Sequence, residues 1–366
     1  MSDRSASPSR DDHDQRQSTL SSSDRDRSHT LPSPAPSSAL SSPRRRFLTV
    51  AAGSTVLSAT AGCVDTDSDD SPASSRADPH HEEADSVDEL PLFDAHTHIT
   101  PMAARGHDAL SADALVDWMD SNGVDTAAVL ALESPEAYPV QATSWWLLEE
   151  IQPYADRLVP FVTIDPRTLV HDRDVIEDVL EQYLEGGARG FGELKAGIGI
   201  DDEMARQAYE LCSSYDLPVT LHTDGRAMTD DLGLPGLESV LESFPDVDFL
   251  AHAHGWWIHV SGDVDTMERG SAHEGPVEPG GRVPELLASY DNLYGDLSAA
   301  AGWTALTRDE DFGQSFLEDH HDQLVFGTDY LYPGQEVDHF DLFDRFDLSL
   351  EAWADIRYQN FQSLLV

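Results

Sequence analysis

Lysine and cysteine are the two residue types that this 366-residue chain has least of. Lys195 is the only lysine, and the other 21 of the 22 basic residues are arginines, against 69 aspartates and glutamates. The formal net charge is −47. Such a surplus of carboxylates excludes nucleic acids and anionic membrane surfaces as expected partners, because both repel it.

Hydrophobic residues, in contrast, are not scarce. They make up 40% of the chain, which is enough for a substantial core and excludes disorder throughout. The length predicts one large domain with extensions or two small domains. An acidic surface with almost no lysine resembles the proteins of extreme halophiles, in which high salt screens the repulsion between carboxylates. We therefore expect a folded, halophilic protein.

The amino-terminal part of the chain has the features of an extension followed by an export signal. Residues 1–43 are rich in Ser, Asp, Arg and Pro without hydrophobic periodicity, which predicts disorder. Residues 44–63, RRRFLTVAAGSTVLSATAGC, begin with Arg44 and Arg45 and end at Cys63 after a short apolar run. This segment resembles a twin-arginine export signal with a lipoprotein-type cysteine.

That resemblance implies a location and an anchor. The protein would be exported by the twin-arginine route and held at the outer face of the cell membrane through a lipid on Cys63, its only expected membrane contact. The acid-rich residues 64–90 indicate an extended linker between the anchor and the folded domain. A lipidated Cys63 leaves Cys212 without a partner, so we expect no structural disulfide and a core position for Cys212.

Beyond the linker, short β-branched runs alternate with amphipathic segments. This alternation predicts an α/β protein, a (β/α)₈ TIM barrel that forms a single catalytic domain over residues 91–366. A doubly wound open sheet is the alternative, but no glycine-rich phosphate turn follows the first strand. The predicted strands are 92–97, 126–133, 158–165, 188–195, 218–222, 248–252, 292–296 and 323–329.

Polar residues follow these strands at the end where a barrel builds its site. In TIM barrels the catalytic residues lie at the carboxyl ends of the strands. Imidazole nitrogens together with a carboxylate suit a divalent ion such as zinc, and a catalytic site keeps one position free for water. The residues at these ends are, in strand order, His96 and His98, Glu193 and Lys195, His222, His252, Asp296 and Asp329.

The order of these motifs resembles the amidohydrolase superfamily. The resemblance rests on the HxH of strand one, the histidines of LHTDG and AHAHG, and the aspartate of FGTD. The closing YQNFQSLL is similar to the end of the amidohydrolase-related (amidohydrolase 2) branch. The resemblance implies a metal held by His96, His98, His222 and Asp329. It makes His252 an acid or base, or a ligand of a second metal.

Glu193 and Lys195 are further candidates, because residues two apart in a strand face the same side. Within the superfamily a strand-four lysine can be carbamylated to bridge two metals, and a strand-four glutamate can bridge them in other branches. Glu193 is therefore a candidate metal ligand and Lys195 a candidate catalytic residue. We expect one ion, with Lys195 as an ordinary ammonium group that contacts substrate or pairs with Glu193. A two-ion site is the alternative. A salt bridge that only braces the barrel is the structural alternative.

The resemblance implies a metal-dependent hydrolase that cleaves an amide, ester or lactone bond of a small molecule. Asp329 would accept a proton from the attacking water, and His252 or Lys195 would steady the oxyanion. A non-oxidative decarboxylase of the same fold is one alternative, because that branch uses the same residues to release carbon dioxide. A non-catalytic, anchored binding lipoprotein is the other, although such a protein has no need of the complete ligand set.

Overall fold

A computed structural model describes residues 84–170, 173–267 and 275–365 of the chain. The predicted extension at 1–43, the export signal at 44–63 and most of the linker at 64–90 lie outside these residues, and they stay predictions. Within the described ranges, no helix is both long and apolar enough to cross a membrane.

Eight parallel strands form one sheet whose spatial order follows the chain from first to last. Backbone hydrogen bonds also join the first strand to the segment after the eighth, from Ala95 to Phe326 and from Asp329 to His96, both 2.8 Å. The predicted TIM barrel is thus confirmed, and each strand lies within its predicted segment. The strands are β1 Phe93–Thr97, β2 Thr126–Leu130, β3 Leu158–Val162, β4 Gly190–Leu194, β5 Val219–His222, β6 Phe249–His252, β7 Leu293–Asp296 and β8 Leu324–Val325.

Helices follow the strands around the outside of the sheet. The α-helices are α1 Ala112–Asn122, α2 Ser144–Ile151, α3 Arg173–Glu185, α4 Glu203–Ser214, α5 Pro235–Ser243, α6 His254–Trp257, α7 Arg282–Leu287, α8 Ala299–Thr307, α9 Glu310–His320, α10 Leu342–Arg345, α11 Leu350–Ala354 and α12 Asn360–Ser363. Short 3₁₀ helices are Val87–Glu89, Gln152–Tyr154, Pro166–Val170, Ile258–Val260, His321–Gln323 and Asp338–Asp341, and a π-helix spans Asp355–Gln359.

Local sequence explains where the helices start and stop. At α1 the Ser111 hydroxyl accepts a hydrogen bond from the Ala114 amide, and the helix ends at Gly123, whose φ of 69° lies in the left-handed region. At α4 the Asp202 carboxylate caps the first turn by accepting from the Met204 amide. These caps set the lengths of the loops that lead back to the next strand.

The core has two main parts and a small third cluster of Leu132, Ala137, Tyr138 and Ala142. The larger part packs the outer face of the sheet against the helices and contains the fully buried Cys212, as predicted for that residue. The smaller part takes members from five strands and from the carboxyl-terminal residues Phe361 and Leu364, and it fills the barrel interior. Because this apolar filling occupies the interior, the polar strand ends gather above it at one mouth of the barrel.

Candidate metal centre

The two histidines of β1 are held by partners behind their rings. His96 Nδ1 lies 2.6 Å from Asp296 Oδ2, and His98 Nδ1 lies 2.9 Å from the Leu130 carbonyl oxygen. Carboxylate and carbonyl oxygens accept hydrogen bonds, so each Nδ1 carries the proton and donates it. In the neutral rings, Nε2 therefore presents a lone pair on both histidines.

These two Nε2 atoms face each other at 3.2 Å. Two lone pairs at that distance repel, and a cation between them relieves the repulsion. Asp329 Oδ1 completes the set, 3.3 Å from Nε2 of His98 and 3.9 Å from Nε2 of His96. The three residues form one compact group that could hold a metal ion. Two imidazoles and a carboxylate are a donor set that suits zinc and similar divalent ions.

A second compact group consists of His96, Glu193 and His252. His252 Nδ1 lies 2.8 Å from the Ser298 hydroxyl, whereas its buried Nε2 has no hydrogen-bond partner among the described residues. That Nε2 is 3.5 Å from Glu193 Oε1. A buried ring nitrogen without a partner is what a ligand or substrate group satisfies. The two groups share His96, whose single Nε2 lone pair binds one ion, so either group can hold an ion but both cannot use His96 at once.

Glu193 is the buried carboxylate at the centre of the site. Its Oε1 lies 3.5 Å from Lys195 Nζ and 2.6 Å from His222 Nδ1. Burial raises the pKa of Glu193, but the charges of Lys195 and His222 outweigh burial and hold that pKa well below its usual range. The sequence-based pairing of Glu193 with Lys195 is thus present at the end of β4.

His222 lies beside the two groups and belongs to neither. Its Nδ1 contacts Glu193, and its Nε2 lies 3.2 Å from Asp224 Oδ2. Both partners are carboxylates, which accept hydrogen bonds, so a metal bound at His222 would take the place of one of these two contacts. The role of His222 as a metal ligand stays a prediction.

Asp329 is held in place by its backbone and by a buried acid next to it. Its φ is 56°, in the left-handed region that aspartate tolerates better than most residues. The preceding Thr328 donates from its amide and hydroxyl to Asp94, at 3.0 and 2.6 Å. Burial raises the pKa of Asp329, but its electrostatic interactions with the His98 and His96 rings outweigh burial and hold that pKa well below normal. The carboxylate is therefore ionised.

A cavity of about 850 Å³ opens above these residues. His98, Glu193, Lys195, His222, His252 and Asp329 contribute to its lining, so the sequence-predicted residues converge on one space. His96 lies behind that lining and reaches the site through its contacts with His98 and Asp329. The arrangement brings metal donors, an ionised carboxylate and an ammonium group around a cavity of small-molecule size.

A protein-family model for amidohydrolases, Amidohydro_2, matches residues 93–360, from the first strand to the carboxyl-terminal helices. This chain belongs to that amidohydrolase family. Proteins of the family are mostly enzymes, hydrolases or decarboxylases, that act on small molecules and use a divalent metal ion. Sequence and geometry therefore agree on the class of the site.

Solved structures support the barrel fold of this amidohydrolase-family chain. It is similar to an uncharacterized TIM-barrel protein from Bordetella bronchiseptica, with 17% identity, coverage of 75% of this chain and 98% of that chain, and a TM-score of 0.54. It is also similar to an amidohydrolase II, with 16% identity, coverage of 75% and 99%, and a TM-score of 0.51. No curated protein matches the sequence.

Several residues that shape this amidohydrolase-family site received no role from the sequence. Asp296 was noted at the end of its strand, but only its contact with His96 shows that it orients a candidate ligand. Gly327 provides the room for that contact, because a Cβ there would lie 2.6 Å from Asp296 Oδ1. Asp224 and Ser298 position His222 and His252. Two sequence features could have indicated these positioning roles: the glycine of FGTD, Gly327, and Ser298, two residues after Asp296.

Proposed function

We propose that the protein is a metal-dependent hydrolase that cleaves an amide, ester or lactone bond of a small molecule. The observation that carries this proposal is the pair of facing Nε2 atoms of His96 and His98, 3.2 Å apart beside the Asp329 carboxylate at the floor of a large cavity. These three residues would hold one divalent ion, and zinc suits the donor set. Glu193 and His222 stay candidate ligands.

The chain's own groups supply the proton transfers. When bound, a divalent ion supplies Lewis acidity toward water and toward the substrate carbonyl. Asp329 accepts the proton of the attacking water at a carboxylate oxygen, which lies at the cavity beside the β1 histidines. The unpartnered Nε2 of His252 and the Lys195 ammonium are the groups that can donate to the oxyanion and to the leaving group.

We further propose where the enzyme works. Arg44, Arg45 and Cys63 support export by the twin-arginine route and a lipid anchor at the outer face of the cell membrane. The charge of −47 and the single lysine support a high-salt environment there. Neither proposal affects the chemistry of the site.

The test combines metal analysis with a substrate panel. The full chain is purified in high salt, its metals are counted by elemental analysis, and nitrophenyl esters, anilides and lactones are assayed beside aromatic carboxylic acids. We expect hydrolysis by a chain that holds one zinc ion, and loss of both metal and turnover in His96→Ala. His321→Ala, which alters a histidine that precedes β8 at the opposite end of the barrel, is the matched control and should retain both.

Two outcomes would contradict the proposed hydrolase. Release of carbon dioxide from an aromatic acid without hydrolysis of any panel member would identify a decarboxylase. A chain that binds no metal and turns over nothing would instead favour the anchored binding lipoprotein.

A further inference from the structure

The candidate metal donors come from both sides of the seam at which the barrel closes, between β1 and the segment that follows β8. His96 and His98 belong to the β1 side, and Asp329 belongs to the other. β8 comprises only Leu324 and Val325, so the residues that lie beside β1 beyond it form no regular strand. The distance between the donors therefore depends on how this seam is held together.

Backbone hydrogen bonds supply part of that hold. Those that cross the seam are 2.8 to 2.9 Å long and run from Ala95 to Phe326, from Asp329 to His96 and from His98 to Tyr330. An isolated bridge also pairs Thr97 with Tyr330. A regular pair of parallel strands would add an evenly spaced ladder of such bonds.

The side chain of Asp94 spans the same seam. It is fully buried, and its Oδ1 accepts hydrogen bonds from the His96 amide on the β1 side and from the Thr328 amide on the other side, both at 3.0 Å. Its Oδ2 accepts from the Thr328 hydroxyl at 2.6 Å. One carboxylate is thus bonded to one candidate ligand and to the residue that precedes another.

The Thr328 hydroxyl carries this connection past Asp329. It donates to Asp94 and accepts from the Tyr330 amide at 3.2 Å, so both chain neighbours of Asp329 are linked to Asp94. Asp329 itself has a φ of 56°. A residue with a side chain keeps such a left-handed conformation only where its surroundings hold it there. The bonds on either side of Asp329 supply that hold.

Asp94 and Thr328 do not themselves reach the reacting groups. Among the described residues, those that line the cavity include neither of them, and neither belongs to a group that could hold a metal ion. A fully buried carboxylate is a costly way to close a barrel, because an apolar pair could fill the same space without the loss of hydration. The directed hydrogen bonds of Asp94 are what an apolar pair could not provide.

We infer that Asp94 is a positioning residue of the metal centre. Through the His96 amide and the Thr328 hydroxyl, its carboxylate fixes where the Asp329 carboxylate lies relative to the β1 histidines. The affinity of the site for a divalent cation depends on that placement. The inference rests on the proposed metal centre but not on the proposed hydrolysis.

The test measures zinc affinity of the full chain by competition with a chelator, and stability of the metal-free chain by thermal unfolding. Thr328→Val keeps the shape of the side chain and removes its hydroxyl, so we expect zinc to bind roughly 10- to 100-fold more weakly. Thr328→Ser keeps the hydroxyl, so its affinity should be close to that of wild type. The serine variant separates the hydroxyl from the packing of the methyl group.

A matched control removes a buried hydroxyl of the same kind elsewhere. The Ser144 hydroxyl donates to the Thr163 carbonyl and accepts from the Thr163 amide, both at 2.9 Å, and Ser144 is not among the residues that line the cavity. Ser144→Ala should lower the melting temperature of the metal-free chain, because it also leaves buried polar groups unpaired. Its zinc affinity should equal that of wild type.

A double-mutant cycle tests whether Asp94 acts through Thr328. Asp94→Asn retains only one oxygen that accepts, so we expect it to weaken zinc binding as Thr328→Val does. If the two residues act as one unit, the double variant should bind zinc about as weakly as the weaker single variant, and the two losses should not multiply. If Asp94→Asn does not fold, the comparison of Thr328→Val with Thr328→Ser still decides.

The inference is wrong if Thr328→Val binds zinc as wild type does, if Thr328→Ser is as weak as Thr328→Val, or if Ser144→Ala loses as much affinity. Losses that multiply in the double variant also contradict it. Failure of the proposed function has a different signature. A chain that binds zinc through this network but hydrolyses no ester, amide or lactone would refute the hydrolase and keep the role of Asp94, whereas a wild-type chain that binds no zinc would refute both.

Discussion

Asp296 offers the most direct test of how the site is organised. Its side chain is fully buried, Oδ2 accepts from His96 Nδ1 at 2.6 Å, and Oδ1 accepts from the Ser298 amide at 2.9 Å. Burial raises the pKa of Asp296, but its electrostatic interaction and hydrogen bond with the His96 ring outweigh burial and keep that pKa below its usual value. The substitution Asp296→Asn keeps the shape of the side chain and removes its charge.

The size of the effect follows from the hydrogen bond that changes. A bond to a charged partner contributes about 1.5–3 kcal/mol, and a neutral one about 0.5–1.5 kcal/mol. The difference is about 1–2 kcal/mol, which corresponds to a roughly 5- to 30-fold weaker metal affinity. Because both side chains are fully buried, solvent screening does not reduce this difference.

Metal affinity is measured by competition with a chromogenic chelator. We expect Asp296→Asn to bind zinc more weakly by the stated factor, with a far-ultraviolet circular dichroism spectrum like that of wild type. Asp248→Asn is the matched control, because Asp248 is a half-buried acid that precedes β6 at the other end of the barrel. An unchanged affinity in Asp296→Asn, or an equal loss in Asp248→Asn, would refute the role of Asp296.

Three further predictions concern a glycine, the lysine and salt. Gly327→Ala should weaken metal binding, because its Cβ would lie 2.6 Å from Asp296 Oδ1. Gly199→Ala should not, because the nearest atom to its Cβ would be 3.5 Å away. Equal metal affinities of the two variants in chelator competition would contradict this prediction. Lys195→Ala should leave one ion per chain but lower turnover, and elemental analysis that finds two ions in wild type and fewer in the variant would establish a carbamate bridge instead. The melting temperature should rise between low and molar salt, because the Debye length falls from about 10 Å at 0.1 M to about 3 Å at 1 M and weakens carboxylate repulsion. A constant melting temperature would contradict a halophilic surface.

The barrel could be predicted because its signals are local. A strand of four or five residues needs only a short apolar run, and all eight runs lie where the sequence places them. Once the barrel is recognised, the rule that chemistry occupies the carboxyl ends of strands brings His98, Glu193 and Asp329 together without further information. Strand ends were predicted three or four residues too late for β2, β3 and β8, because the buried residues after each strand continue its pattern while the backbone has already left the sheet.

The roles of individual side chains depend on distances that no local pattern contains. His96 and Asp296 are 200 residues apart, and only closure of the barrel brings their side chains within 2.6 Å. His222 ends its strand as predicted, but the positions of Glu193 and Asp224 determine which way its ring nitrogens point.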